Sequence, residues 1–255
     1  MKLLASDYDN TISFNGVIKE TDKAAIRDFQ NQGNLFGVCT GRSLRGVVEF
    51  TKGIDFDFYI LLSGAYILNK KKKVILENRI PLKLVQEIHQ FVGNVDASAN
   101  YQDTNYQVYQ KKRKTSFGKQ IDSFLQLDDI TDYVNSFSLH FKEGEDDKAK
   151  KTALRIEKTF GNQIEVFLNT RHIDLAAKGS SKGKALQIVQ EYYNLEKNQL
   201  YAIGDSYNDL PMLNAIDNSY TFASSPENIK NQVKTIVTSV SECIEDIELR
   251  DKNGI

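Results

Sequence analysis

The residues Asp7-Tyr8-Asp9-Asn10-Thr11 follow a short apolar run, Leu3-Leu4-Ala5. In an extended stretch, carboxylates two positions apart share a face; if the chain leaves the strand there, one can point at a ligand while the other lies above it. A carboxylate nucleophile suits phosphoryl transfer, because it forms an acyl phosphate that water later hydrolyses, dividing one difficult displacement into two. Asp7 is the candidate nucleophile. Asp9 is the candidate acid/base, protonating the departing oxygen and then taking a proton from the attacking water. Taken alone, the pair also fits a strand-end turn with two solvated acids, so its meaning depends on what else gathers beside it.

The elements that would position these acids follow from the hydrophobic pattern. Residues 35–39, 58–62 and 200–203 are continuous apolar runs, the pattern of parallel strands covered on both faces. Between them the spacing predicts helices: one capped by Thr21 and ended by Gly33, one carrying Leu44, Val47 and Val48, and one capped by Ser181 and running through Ala185, Leu186 and Val189. Strand alternating with helix implies an α/β doubly wound, Rossmann-like parallel sheet, which binds ligands outside the carboxyl ends of its strands. Asp7, Thr40, Ser63 and the run Gly204-Asp205-Ser206-Tyr207-Asn208-Asp209 all fall at such ends. The lysines at 70–73 read as the solvated tip of a hairpin.

From Pro81 the rhythm changes. A helix with Leu82, Val85, Ile88 and Val92, strand-like residues 106–109, an irregular stretch 111–131, alternating residues 135–141, a helix with Ala149, Ala153, Ile156 and Phe160, and a strand at 164–168 suggest a small α+β domain. Its helices are expected on one side of an antiparallel sheet. The expected division is a core of residues 1–80 and 171–255 with an inserted domain at 81–170. His89 and His140 read as packing or surface residues, since neither has an acid or thiol at ligand spacing.

Composition excludes some classes of function. With 33 Lys+Arg against 34 Asp+Glu over 255 residues, the formal net charge is -1, so no basic excess attracts nucleic acid. Asp7 interrupts the first apolar run before it reaches signal-peptide length, and no run approaches a membrane span, which points to a cytoplasmic protein without membrane contact. Cys39 and Cys243 lie far apart with no partners for a metal knuckle. Nothing in the sequence names a protein partner.

If Asp7, Asp9, Asp205 and Asp209 converge, their repulsion keeps some of them protonated unless a cation is present. Oxygen donors without local His or Cys point to Mg²⁺. Thr40 can donate its hydroxyl to a phosphate oxygen. Lys182, just inside a predicted helix start, adds positive charge where the helix dipole and free N–H groups already favour an anion. Lys178 is the competing lysine, in the loop before the cap.

In order, Asp7-Tyr8-Asp9-Asn10-Thr11, Thr40-Gly41-Arg42, Lys182 and Gly204-Asp205-Ser206-Tyr207-Asn208-Asp209 closely resemble the four motifs of the haloacid dehalogenase superfamily. The insert at about 81–170 resembles the large α/β cap of its Cof-type sugar-phosphatase branch. The resemblance implies that Asp7 is the aspartyl nucleophile and Asp9 the acid/base. It implies that Asp7, the Asp9 backbone carbonyl and Asp205 hold Mg²⁺, and that Thr40, Gly41, Lys182 and Asn208 hold the substrate phosphate. Asp209 would support the metal or orient the lysine, and the cap would close over the leaving group and exclude water.

The chain departs from the family in two places. Asn10 stands where the family usually has Gly, and Asn is the non-Gly residue that best tolerates a left-handed turn. Ser63 stands where it commonly has Asn, and the shorter hydroxyl loses a contact near the phosphate. Arg42 and Arg45 are open to either a substrate or an ion-pair role. The implied activity is Mg²⁺-dependent hydrolysis of a small phosphorylated metabolite. The alternatives are a phosphotransferase such as a hexose-phosphate mutase, or a non-catalytic phospho-ligand sensor. Specificity is expected from the 111–131 stretch and from Asn169-Thr170-Arg171-His172.

Overall fold

The first strand, β1 (Leu3–Ser6), is buried along its whole length, so neighbouring strands and helices must cover it on both edges and both faces. The computed structural model, which describes residues 1–111 and 118–253, shows how. Residues 112–117 of the irregular stretch lie outside the described residues. After β1 come α1 (Glu20–Asn31), β2 (Leu35–Cys39), α2 (Leu44–Val48), β3 (Phe58–Leu61), β4 (Tyr66–Asn69) and β5 (Val74–Glu77). The chain then forms β6 (Ile80–Pro81), α3 (Leu82–Val92), β7 (Asp96–Tyr101), β8 (Thr104–Val108), β9 (Lys119–Gln120), β10 (Tyr133–Val134), β11 (Ser136–His140), α4 (Asp146–Phe160), β12 (Ile164–Asn169) and β13 (His172–Ala177). It closes with α5 (Lys182–Tyr193), β14 (Leu200–Ile203), α6 (Leu210–Leu213), β15 (Asn218–Phe222), α7 (Glu227–Lys230), β16 (Thr235–Val237) and α8 (Val240–Asn253).

Two compact units result, one of residues 1–76 and 181–255 and one of residues 77–180. In the first, an eight-stranded sheet has the order β16-β15-β14-β1-β2-β3-β4-β5. The strands from β16 to β3 are mutually parallel, and β4 returns antiparallel to β3. Outward from β1, the chain runs β1-β2-β3 one way and β14-β15-β16 the other, so the strand order reverses between β1 and β14. This is the topological switch point, where a crevice opens at the strands' carboxyl ends. One face carries Ala185, Leu186 and Val189 of α5, packed with Leu3, Ala5, Leu200 and Ala202.

The first helix differs from the sequence reading. It begins at Glu20 with Lys19 as an N-cap that makes no side-chain hydrogen bond, so Thr21 lies inside the helix. Ile26 and Phe29 of α1 are fully buried, worth about 1.5–3 kcal/mol each, more than the roughly 1 kcal/mol a capping side chain supplies. Ser181 does cap α5, accepting from the Lys184 N–H at 3.2 Å.

The second unit holds a six-stranded sheet, β12-β13-β11-β7-β8-β9, antiparallel except where β8 meets β9. Its apolar positions, Ala97, Ala99, Phe137, Leu139, Ile173 and Leu175, pack with Val85 and Ile88 of α3 and Ala149, Ala153 and Ile156 of α4. The alternate positions, Ser98, Ser136, Ser138, His140, His172 and Asp174, form the opposite face, because successive residues of a strand point to opposite sides. The units divide ten residues later than the 171 expected from sequence. A boundary at 171 puts residues 172–177 with the core, but β13 pairs antiparallel with both β11 and β12 and so belongs to this sheet. Among the described residues, no helix is long and apolar enough to cross a membrane.

Candidate active site

In register, Ser6 lies beside Val38 on β2 and Ile203 on β14, so Asp7, Thr40 and Asp205 all leave the sheet at the same edge. The Asp7 N–H still bonds the Ile203 carbonyl at 2.9 Å, which holds its side chain at the mouth of the switch point. Beyond it the backbone folds tightly. The Ser13 N–H returns to the Tyr8 carbonyl at 2.9 Å, and Asn10 adopts the left-handed conformation at φ 59°, the geometry that Gly or Asn reaches at least cost.

A buried ion triad occupies the centre. Lys182, the first residue of α5, donates from Nζ to Asp7 Oδ1 at 2.6 Å and to Asp209 Oδ1 at 2.5 Å. Asp7, Lys182 and Asp209 are respectively 4 %, 2 % and 0 % exposed, so solvent screens these charges little. Burial raises the Asp7 pKa well above the usual carboxylate range, and Asp209 adds to the rise while Lys182 opposes it. Burial pulls Lys182 down, but Asp209 and Asp7 outweigh it and leave the ammonium more basic than normal. Asp205 is pushed up to about 6, by burial first and Asp209 second. The geometry favours Lys182 over Lys178, which donates to the Gly161 carbonyl and pairs with Glu165 in the smaller unit.

Asp209 is engaged on both oxygens: Oδ1 takes Lys182, and Oδ2 accepts from the Asp205 and Ser206 N–H groups at 3.1 and 3.0 Å. It therefore works as a buried fastener for the loop after β14. Asp7, Asp205 and Asp209 each offer a carboxylate oxygen within 4.8 Å of the others. Since Asp209 is engaged, Asp7 and Asp205 are the pair placed to share a cation, with Thr11 donating to Asp205 Oδ1 at 3.2 Å. An all-oxygen set in which burial first and neighbouring acids second raise the Asp7 and Asp205 carboxyls fits a hard divalent ion, whose charge would oppose those shifts.

The remaining candidates fall around this triad. Thr40 is buried, and its hydroxyl oxygen accepts from the Arg42 N–H at 3.2 Å, which leaves the hydroxyl proton to point elsewhere; Gly41 beside it is exposed. The side chain of Asp9 stands apart from the triad. It is 53 % exposed, and Arg42 grips both its oxygens, Nε to Oδ2 at 2.8 Å and Nη2 to Oδ1 at 2.6 Å, while stacking over Tyr8. Arg45 pairs with Glu49 along its own helix. The side-chain oxygen of Asn208 accepts from the Ser206 hydroxyl, and among the described residues no hydrogen bond joins Asn208 to Asp7 or Lys182.

Two glycines to which the sequence assigns no role of their own position these groups. Leu62, Ser63 and Gly64 are left-handed in succession, and the turn is tied to the phosphate-loop candidates by Ser63 N–H to Thr40 O and Leu62 N–H to Arg42 O, both 3.1 Å. A Cβ on Gly64, at φ 96°, would lie 2.4 Å from the Ser181 carbonyl oxygen, the residue that starts the Lys182 helix. A Cβ on Gly204 would lie 2.6 Å from the Asp209 Cβ. We expect Gly64→Ala to cost about 1–3 kcal/mol and to lower turnover beyond what the lost stability explains, because Lys182 must shift. Thermal melting read alongside phosphate release checks this; wild-type values of both would show that the turn does not position Lys182.

The family model for haloacid dehalogenase-like hydrolases matches residues 4–243. A Haemophilus influenzae protein with a provisional phosphatase name is 23 % identical over 255 residues, spanning 94 % of this chain and 93 % of that one. Among solved structures, a haloacid dehalogenase-like hydrolase from Bacillus subtilis superposes with a TM-score of 0.84 at 20 % identity, covering 95 % of this chain and 96 % of that one. The subclass IIB sugar phosphatase BT4131 superposes with a TM-score of 0.78 at 17 % identity over the whole of both chains. At these identities the structural likeness establishes the fold, and the family match spans nearly the whole chain: this protein belongs to the haloacid dehalogenase-like hydrolases.

Proposed function

We propose that this protein is a phosphatase that hydrolyses the phosphate monoester of a small metabolite, through an aspartyl phosphate on Asp7 and with Mg²⁺ as cofactor. The observation that carries the reading is the buried Asp7–Lys182–Asp209 triad at the switch point of the sheet. A lysine locked between two acids holds positive charge where a transferring phosphoryl group gathers negative charge, without reorganising during the reaction. The bond formed is Asp7 Oδ to phosphorus, and the bond broken is phosphorus to the ester oxygen. Asp9 gives that oxygen a proton; in the second step water attacks the phosphorus of the acyl phosphate, the bond from phosphorus to Asp7 Oδ breaks to release inorganic phosphate and the free carboxylate, and the water's proton goes back to Asp9.

Asp7, the Asp9 carbonyl and Asp205 would hold the ion, which when bound neutralises phosphate oxygens in the transition state. Thr40, Gly41, Lys182 and Asn208 receive the phosphate oxygens in this reading. The bidentate grip of Arg42 bears on the timing, since it occupies both Asp9 oxygens. Asp9 must leave Arg42 before it can act as an acid. The sugar-phosphatase name of BT4131 makes sugar phosphates the first substrates to try. We assign selection of the leaving group to the inserted unit, which the motif residues leave without a role, and place the reaction in the cytoplasm.

The test is release of inorganic phosphate from an aryl phosphate and a panel of sugar phosphates, in Mg²⁺ and in chelator. Turnover that needs Mg²⁺ supports the reading. A folded, Mg²⁺-supplied protein that releases nothing from any member overturns hydrolysis and leaves transfer or sensing.

A further inference from the structure

The polar face of the six-stranded sheet carries a cavity of about 490 Å³, lined among others by Asp96, Ser98, Gln107, His140 and His172. The chain has three histidines, and two of them meet here. His140 on β11 and His172 on β13 are direct cross-strand partners, and their Nδ1 atoms lie 3.1 Å apart. Two imidazole nitrogens at that distance share either a ring proton on the line between them or a cation to one side of it. We infer that His140 and His172 form a binding site for a borderline divalent transition-metal ion, of which Zn²⁺ is the test case, coordinated through their Nδ1 atoms.

Three further observations carry the inference. With metal–nitrogen bonds of about 2.0–2.1 Å, two ligand nitrogens stand about 3.4 Å apart in a tetrahedral site and about 2.9 Å apart at a right angle. The observed 3.1 Å lies between, the separation of two nitrogens on one ion. Ser98 Oγ lies 2.9 Å from His140 Nε2, the place of the partner that fixes ring orientation and tautomer in histidine metal sites. When Nε2 carries the ring proton and donates it to Ser98, His140 Nδ1 presents its lone pair towards His172.

Oxygen groups lie on the same face, where Asp96 Oδ1 accepts from the Gln110 N–H at 2.8 Å. Asp96 is the register partner of His140 on β7, so His172, His140 and Asp96 stand in one row across three adjacent strands. Gln107, the register partner of Ser98, has a buried Oε1 with no hydrogen-bond partner among the described residues. A buried amide oxygen without a partner is costly, and a cation or its bound water would satisfy it. Imidazole nitrogens suit Zn²⁺, Ni²⁺ or Cu²⁺, whereas the all-oxygen acids at the ends of β1 and β14 suit Mg²⁺, so the chain would hold two sites of different chemical preference.

Calorimetric titration of ZnCl₂ into the full chain, in saturating Mg²⁺ so that the carboxylate cluster is occupied, tests the inference. The expected result is one equivalent bound and a raised melting temperature. Binding should weaken at least about tenfold in His140→Gln and in His172→Gln, stay unchanged in His89→Gln, and weaken by roughly tenfold in Ser98→Ala, which keeps both ligands and the fold. Circular dichroism confirms that each variant is folded. The inference is overturned by an absence of stoichiometric binding, or by binding that survives both His140→Gln and His172→Gln, and in either case the ring pair is simply an N–H···N hydrogen bond.

Discussion

Asp7→Asn should abolish phosphate release, by at least about 10⁴-fold, and yet leave the metal-free protein as stable as wild type or more so. The activity loss follows from chemistry, because a carboxamide oxygen is too weak a nucleophile to form the acyl phosphate. The stability result follows from the site. Three acids have oxygens within 4.8 Å of one another, one lysine pairs with two of them, and Asp7 is almost wholly buried. A carboxyl whose pKa rises on folding lowers stability once the pH exceeds its unfolded value, with the cost fully developed above the folded one. An uncharged isostere removes that cost, and Lys182 keeps Asp209 as a partner. Melting in chelator and a single-turnover phosphate assay read the two halves separately. A variant that loses activity together with several degrees of melting temperature would mean that Asp7 is held for structure.

The second large effect belongs to Lys182. Lys182→Met keeps the length of the side chain but leaves Asp7 and Asp209 buried without their counter-charge. Breaking a buried ion pair from one side costs about 3–5 kcal/mol, because the remaining charge is stranded away from water. Turnover should fall by about 10²–10³-fold, the usual loss when one donor to a developing charge is removed. Mg²⁺ provides the diagnostic. An ion bound only by the native state stabilises by about 2.7 kcal/mol at a concentration of 100 times Kd, and it partly replaces the missing charge. The variant should therefore regain activity poorly but regain melting temperature markedly on adding Mg²⁺, by more than wild type does. A Lys182→Met protein that melts like wild type in chelator would contradict the buried triad as the organiser of this site.

Much of this arrangement was legible before any coordinates. Continuous apolar runs marked β1, β2, β3 and β14 as strands covered on both faces, and the polar residues that follow each run were placed at one edge of the sheet. Ser181 was legible as a cap because capping is a local bond, made here three residues along the chain. What failed to show had physical reasons. The strand β7, Asp-Ala-Ser-Ala-Asn-Tyr, has no β-branched residue and little local preference for a strand, and it forms because β8 and β11 pair with it on either side. That β13 falls in the smaller unit rather than the core failed to show for a related reason: the alternation of Ile173 and Leu175 with His172 and Asp174 marks a strand with one covered face but not which sheet it joins.

Residue types and their periodicity along the chain already send the chemistry to strand ends: two acids after β1, a threonine after β2, a lysine at a helix start, and an acid-rich loop after β14. Which of these meet is set by the folded chain. Asp7 and Lys182 are 175 residues apart, Asp9 and Arg42 are 33 apart, and His140 and His172 are 32 apart. The order of strands around β1 and the register between β11 and β13 set those encounters. Helical and strand preferences are local and repeat within a few residues, so they can be read along the chain. A charge partner or a shared ligand is fixed by the packing of distant segments, and that becomes definite only when the sheets have closed.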